Sequence, residues 1–296
     1  MRILITCSSG PLGAETARQL AKEHEPIGID IIPGKWTQHL TDIRDREALH
    51  VLMKDIDAVI HIASLHHPHL ASHSKQDFVD INITATLNLL EASVHYHIQR
   101  FVYTSTTSLY GSAMVPTDRA IWVTESLTPR PRDMYDITKQ TAEELCRHFS
   151  LNAGLSAIIL RTSRFFEQEP ELLATYRLYR GVDVRDAAAA HVLAVTNRDI
   201  YFDLFNISAH SPFQESDTVA LWQDAPSVLR RYIPEIEEIF ALRCWKLLAH
   251  IDRIYVTAKA EQFLGYSPIH NFSIYSGPLS SNSVSSNQPR KSNGLP

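Results

Sequence analysis

The chain has 296 residues, 44% of them hydrophobic, and a formal net charge of −5. That length and apolar content suit one large α/β domain with a smaller appendage. Acidic and basic residues are interspersed, and no apolar run approaches the roughly 18 residues of a membrane-spanning helix, so neither a nucleic-acid footprint nor a membrane anchor is read.

Three well-separated cysteines, Cys7, Cys146 and Cys244, read as reduced thiols. The opening ILIT is too short for a signal-peptide core, so the expected compartment is the cytoplasm.

In chain order, RILIT, PIGIDII, AVIHIA and RFVYTST are β-branched runs that predict strands. Between them PLGAETARQLAKEH, REALHVLMK and QDFVDINITATLNLLEASVHYH predict helices. Leu87, Leu90 and Val94 illustrate the three- and four-residue spacing. A helix around YDITKQTAEELCRHF and a strand at AIILRT continue the alternation, which is that of a Rossmann-like, doubly wound parallel sheet. Beyond Arg161 the pattern loosens into short helices, DAAAAHVLAV and PEIEEIFALRCW, and two strands, DLFNIS and IDRIYV. The expected organisation is a dinucleotide-binding domain over 1–161, completed by segments around 182–208 and 251–256. A small, reduced substrate lobe then lies mainly in 162–272, and 273–296 form a polar, disordered tail.

The stretch TCSSGPLG follows the first strand and opens the first helix. The N–H groups of a helix start carry the positive end of its dipole, so the backbone of Cys7, Gly10, Pro11, Leu12 and Gly13 is a candidate pyrophosphate site. Gly10 and Gly13 would allow the close approach; glycines that merely shape a turn are the plainer alternative. Asp30 ends the second strand about 20 residues on, where a carboxylate can hold ribose hydroxyls and repel a 2′-phosphate. It favours NAD over NADP, unless it is a strand-end turn aspartate. Asp42 and Ile43 in TDIRD are candidates to flank an adenine, the alternative being a helix N-cap region.

Tyr135 and Lys139 in MYDITK stand four apart and share a helix face. A nearby ammonium favours the phenolate, which predicts a tyrosine pKa drawn down from about 10 toward the range of a working acid or base. Upstream, FVYTSTTSLYG ends a strand at the carboxyl edge of the sheet, where ligands bind in such folds, and Ser105, Thr106 or Thr107 offers a hydroxyl to a substrate oxygen.

These residues together resemble the extended short-chain dehydrogenase/reductases, the NAD-dependent epimerase/dehydratase family, over roughly residues 1–270. Thr6, Gly10 and Gly13 are similar to that family's glycine-rich motif, HIAS at 61–64 to its fourth-strand motif, and Asn82 to the asparagine of its next helix. TSTTSLYG, with Glu125, Pro129, Tyr135 and Lys139, resembles its catalytic region. VDVRDAAAAHVLAV and IDRIYVTAKAEQFLGYSPIHNF resemble its later segments. The resemblance implies Thr106 in the catalytic serine/threonine position, Tyr135 as acid/base and Lys139 as its partner. The implied cofactor contacts include Thr6, Ile62, Ala63, Ser64, Asn82, Thr104, Lys139 and Thr162. It also implies a homodimer through helices at about 76–97 and 133–153.

Two departures stand out. Cys7 replaces the first family glycine, and the expectation is a backbone there that any small residue tolerates. Only about 20 residues separate Arg161 from VDVRD, and RTSRFF replaces the family's Arg-Pro-x-Asn type of sequence, which makes a nucleotide-sugar substrate less expected. Arg164 and Arg180 are read either as contacts to an anion or as solvated surface residues. SLHHPHLASH brings His66, His67, His69 and His73 together, but no cysteine is near and Pro68 breaks helical pairing, so no metal is assigned. That loop is expected to border the nicotinamide, with His69 toward a substrate.

The expected function is NAD-dependent oxidoreductase or epimerase chemistry on a small-molecule secondary alcohol or ketone. The alternative is a non-catalytic nucleotide-binding sensor of the same fold.

Overall fold

The computed structural model describes residues 1–275. Its strands are β1 (Arg2–Thr6), β2 (Glu25–Asp30), β3 (His39–Leu40), β4 (Ala58–His61), β5 (Arg100–Thr106), β6 (Ile121–Val123), β7 (Ala157–Thr162), β8 (Phe202–Ile207) and β9 (Arg253–Tyr255). Seven of them form one sheet in the order β3-β2-β1-β4-β5-β7-β8, and every pairing in it is parallel. The order reverses between β1 and β4, which leaves a crevice at their carboxyl ends.

Parallel strands covered on both faces read as continuous apolar runs, and alternate residues then serve opposite cores. Ile3, Ile5, Ile60, Val102 and Leu160 pack against Leu12, Ala17 and Leu20 of α1 (Pro11–Leu20) and the alanines of α7 (Val184–Thr196). Leu4, Val59, Phe101, Tyr103 and Ile159 face α2 (Arg46–Leu52), α4 (Ala85–His95) and α5 (Met134–Ala153). α5 starts where the Asp133 carboxylate accepts the Asp136 N–H at 3.0 Å and stops at Gly154, whose φ of 72° any side chain would strain. The helix read as one piece over 76–97 is interrupted: α3 (Lys75–Val79) passes into a π turn, Asp80–Thr84, before α4.

The lobe contains α6 (Pro170–Arg177), α8 (Thr218–Gln223), α9 (Ala225–Tyr232) and α10 (Ile236–Leu242) around Leu178, Leu221, Val228, Phe240 and Ile254, with Trp122 and Trp245 packed on them. Residues 182–208 supply α7 and the edge strand β8 to the main domain. Residues 251–256, read above with the main sheet, need correction: β9 pairs in parallel with β6, in a separate two-stranded sheet. The edge next to β8 does not recruit it, because its short run Arg253–Tyr255 buries Ile254 in the lobe core. The expected tail lies outside the described residues except for 273–275, which fall in a 3₁₀ turn, Phe272–Tyr275. Among the described residues no helix is long and apolar enough to cross a membrane.

Candidate active site

A cavity of about 560 Å³ opens at the carboxyl ends of β1, β4, β5 and β7. Of the residues singled out on the sequence, Cys7, Gly10, Pro11, Leu12, Gly13, Ile62, Ser64, Thr104, Thr106, Tyr135, Lys139 and Thr162 line it. Thr6, Asp30, Asp42, Ile43, Ala63 and Asn82 do not.

At the glycine turn, a Cβ added to Gly13 would lie 2.1 Å from the Cys7 carbonyl oxygen, so only glycine lets α1 start this close to β1. Gly10 caps α1 without a side-chain hydrogen bond and the first turn carries no acid, so its N–H groups are left for an anion. The expectation for Cys7 is corrected: its φ is 59°, in the left-handed region, where a non-glycine residue carries strain of order 1–3 kcal/mol. Burial, and then the nearby Asp30 carboxylate, push its thiol up to about 11, so it presents a neutral group to the turn. The Asp30 carboxylate accepts N–H bonds from Ser9 (3.0 Å), Ile31 (2.7 Å) and Ile32 (3.3 Å), tying the turn to the end of β2. This fixed carboxylate and the uncapped helix start fit a dinucleotide laid over the turn. Asp42 pairs with Arg44, which holds its carboxyl below the usual range, and Ile43 is buried beside α2; the N-cap there is Asp45.

Thr6 and Asn82 serve the scaffold. The Thr6 hydroxyl accepts the N–H groups of Ile62 (2.9 Å) and Ala63 (2.8 Å) and bonds His61 Nδ1 at 2.9 Å. His61 Nε2 meets Thr86 Oγ1 at 2.9 Å, and that hydroxyl donates to the Asn82 carbonyl. Thr86 has spent its proton, so Nε2–H donates and Nδ1 accepts. Burial pulls the His61 imidazole down to about 3, so it stays neutral. Asn82, buried in the π turn, clamps the chain after β4 through Leu65 N (2.7 Å) and Leu65 O (2.9 Å) and donates to Thr138 Oγ1 at 3.0 Å.

On α5, Lys139 is fully enclosed. Its Nζ donates to the Thr104 carbonyl at 2.6 Å and lies 4.2 Å from the centre of the Tyr103 ring. Burial draws it down to about 7 against the upward pull of Glu143. Tyr135 is buried beside Thr106, whose side-chain hydrogen bond opposes a larger effect of burial that pushes the phenol up to about 12. The downward shift expected from Lys139 is therefore corrected: desolvation dominates and the ammonium is engaged elsewhere.

Beneath them the Glu143 carboxylate takes Ser105 Oγ at 2.5 Å and the Arg161 guanidinium at 2.7 and 3.0 Å. Arg161 donates to the Tyr110 hydroxyl, which donates to Asn206 Oδ1. Thr104 Oγ1 meets His191 Nε2 at 2.8 Å; the other ring nitrogen donates to the Ala187 carbonyl, so Nε2 accepts.

In the histidine loop, His66 and His67 line the cavity and His66 stacks on Phe166 at 5.1 Å. The place read for His69 is corrected: its Nδ1 accepts the His66 N–H at 3.0 Å and it does not reach the cavity. Among the described residues no group of three or more potential ligands is arranged to hold a metal.

Residues 3–171 match the model of the NAD dependent epimerase/dehydratase family. The chain is 29% identical over 204 residues to an uncharacterized UDP-glucose epimerase of Bacillus subtilis, covering 61% of this chain and 62% of that protein. It is 32% identical over 170 residues to UDP-glucose 4-epimerase of Rhizobium meliloti, covering 54% and 50%. The chain thus spans about half to three-fifths of the length of these curated relatives. A crystal structure of a short-chain dehydrogenase/reductase superfamily protein from Agrobacterium tumefaciens with bound NAD superposes with a TM-score of 0.70 at 19% identity. That superposition covers 93% of this chain and 94% of the other, and it shows a shared fold.

Proposed function

Because the chain belongs to the NAD dependent epimerase/dehydratase family, we propose that it is an NAD-dependent oxidoreductase or epimerase acting on a secondary alcohol or ketone through Thr106, Tyr135 and Lys139. The observation that supports this most is the convergence of those three side chains and the glycine turn on one cavity at the topological switch point.

Bound NAD would supply the hydride acceptor, and its pyrophosphate would be held at the α1 start, with Asp30 on the adenosine ribose. Thr106 orients the substrate oxygen. Tyr135 rests as the phenol at neutral pH, which suits it to give a proton to a carbonyl; taking one from an alcohol requires the phenolate. Lys139, anchored on the Thr104 carbonyl, holds an amine that gains and loses its proton near pH 7 one helical turn from Tyr135. The same placement suits a contact with the nicotinamide ribose.

Titration with NADH followed by fluorescence, then a turnover screen over alcohols and ketones, tests the reading. Micromolar binding with turnover that Tyr135→Phe reduces by roughly 100-fold or more is the expected result. Unaltered turnover in Tyr135→Phe overturns it. Binding without turnover favours the second reading, a nucleotide sensor, which the strained Cys7 in the phosphate turn supports. We also expect a homodimer through α4 and α5, which light scattering at micromolar concentration would reveal and a monomeric mass would refute.

A further inference from the structure

From the charge of the cavity wall we infer that the substrate is a small anionic sugar or hydroxy acid whose carboxylate or phosphate is held by Arg164 and Arg180. This deepens the proposed function and rests on it for the location of the reacting carbon.

Arg132, Lys139, Arg164, Arg180 and Arg253 all line the cavity, and no aspartate or glutamate does. Three of these cations are already engaged. Arg132 pairs with Asp136 at 3.2 Å, Arg253 donates to Asp252 at 3.0 Å, and Lys139 is bound to a carbonyl close to Glu143. Among the described residues neither Arg164 nor Arg180 forms an ion pair with a carboxylate; the acid acting on Arg180, Asp252, is already paired with Arg253.

Their placement is built. Arg164 pairs in parallel with Gly181, and Val182 N donates to its carbonyl at 3.0 Å, which sets Arg164 beside Arg180 across two adjacent chain segments. A Cβ on Gly181 would lie 2.8 Å from Tyr176 Cβ, so the turn is pressed onto that tyrosine. The Arg180 guanidinium lies 4.3 Å from the Tyr176 ring centre and 5.4 Å from that of Tyr179. A half-buried guanidinium held against aromatic faces at the cavity wall and outside any carboxylate ion pair, with Asp252 acting on it from beside Arg253, suits a carboxylate or phosphate arriving with a ligand.

Size narrows the class. The same cavity of about 560 Å³ includes the glycine turn, so substrate and cofactor share it, and the short stretch of about 20 residues between Arg161 and VDVRD favours a single sugar or hydroxy acid over a nucleotide sugar.

The test is equilibrium binding of glucose, glucuronate, glucose 6-phosphate and UDP-glucose to the NADH-loaded full chain. The proteins compared are wild type, Arg164→Met, Arg180→Met, Arg180→Lys and Tyr135→Phe, each checked for folding by circular dichroism. We expect glucuronate or glucose 6-phosphate to bind at least tenfold more tightly than glucose; which of the two wins separates carboxylate from phosphate. Arg164→Met and Arg180→Met should each remove at least tenfold of that preference, Arg180→Lys less, and Tyr135→Phe little. Equal binding of glucose, anion binding indifferent to both arginines, binding by UDP-glucose alone, or binding by none of the four would overturn the proposal. Since the readout is binding, a normal turnover rate in Tyr135→Phe would defeat the catalytic reading while leaving the arginine result standing. Should Arg180→Met not fold, the exposed Arg164→Met and the charge-retaining Arg180→Lys carry the test.

Discussion

Lys139 donates its 2.6 Å hydrogen bond to the main-chain carbonyl of Thr104, while the hydroxyl of the same threonine is spent on His191. The ammonium is thereby fixed from helix α5 to strand β5 by backbone, in a setting dry enough to lower its pKa to about 7 from an ordinary 10.5.

That setting makes stability depend on pH. The folded-state pKa is the lower one, so the cost of burying the ammonium is fully present below about pH 7 and fades as pH rises toward 10.5, where the unfolded chain also loses its proton. Lys139→Met removes the titration. Unfolding by urea at pH 6 and pH 9.5 should show wild type gaining roughly 2–4 kcal/mol relative to this variant at the higher pH. A difference independent of pH would contradict the assignment.

Asp30 should decide between the two nicotinamide cofactors. Its carboxylate is held in place by three N–H groups at the end of β2, where the proposed site would receive a 2′-phosphate. Wild type should bind NAD at least tenfold more tightly than NADP. Asp30→Ala should narrow that gap by weakening NAD and by relieving repulsion. Tighter NADP binding by wild type would refute this.

Replacing Cys7 by glycine removes a left-handed cysteine. The relief, of order 1–2 kcal/mol, exceeds the glycine entropy cost of about 0.5–1 kcal/mol, so Cys7→Gly should be neutral to slightly stabilising and change NAD affinity by less than tenfold. Cys7→Val should be worse than wild type, because a β-branched side chain at positive φ is more strained still. Melting temperatures and NAD titrations of the three proteins check the order. Wild type without affinity and tight binding by Cys7→Gly would mean that the turn has lost its use.

The Glu143–Arg161 pair is almost wholly enclosed. Glu143→Gln leaves a buried guanidinium short of a counter-charge and should destabilise by roughly 3–5 kcal/mol, whereas Glu143→Leu combined with Arg161→Met should recover much of the loss. Strictly additive effects in urea unfolding would contradict this coupling.

Much of the site was legible because it depends on local pattern. The glycine spacing before a helix, the acid at the end of β2 and the four-residue step from Tyr135 to Lys139 are short-range signals, and each reports a backbone or helix-face requirement. What stayed hidden depends on long-range partners. Nothing around His61 distinguishes a buried relay from a solvent-facing ring until Thr6, 55 residues away, and Thr86, 25 residues away, close on it. Asn82 was read as a cofactor contact through its resemblance to the family's helix asparagine; only the π turn, which no periodicity announces, directs its amide at Leu65 and Thr138. Tyr135 was given the wrong direction of shift because spacing puts a lysine near it but says nothing about dryness. His69 was preferred over His66 and His67 for want of any signal in a run of four histidines.

The parallel pairing of β6 with β9 means that the lobe is threaded through the N-terminal half of the chain. Strand β6 is encoded before Tyr135, and its partner more than a hundred residues after it. A chimaera that exchanged only residues 162–272 for those of a related chain would leave Ile121–Val123 facing a foreign strand and would lose Arg253 and Tyr255, the residues β6 pairs with. The lobe is therefore encoded in two separate stretches, and any transplant of it has to include the one between β5 and α5.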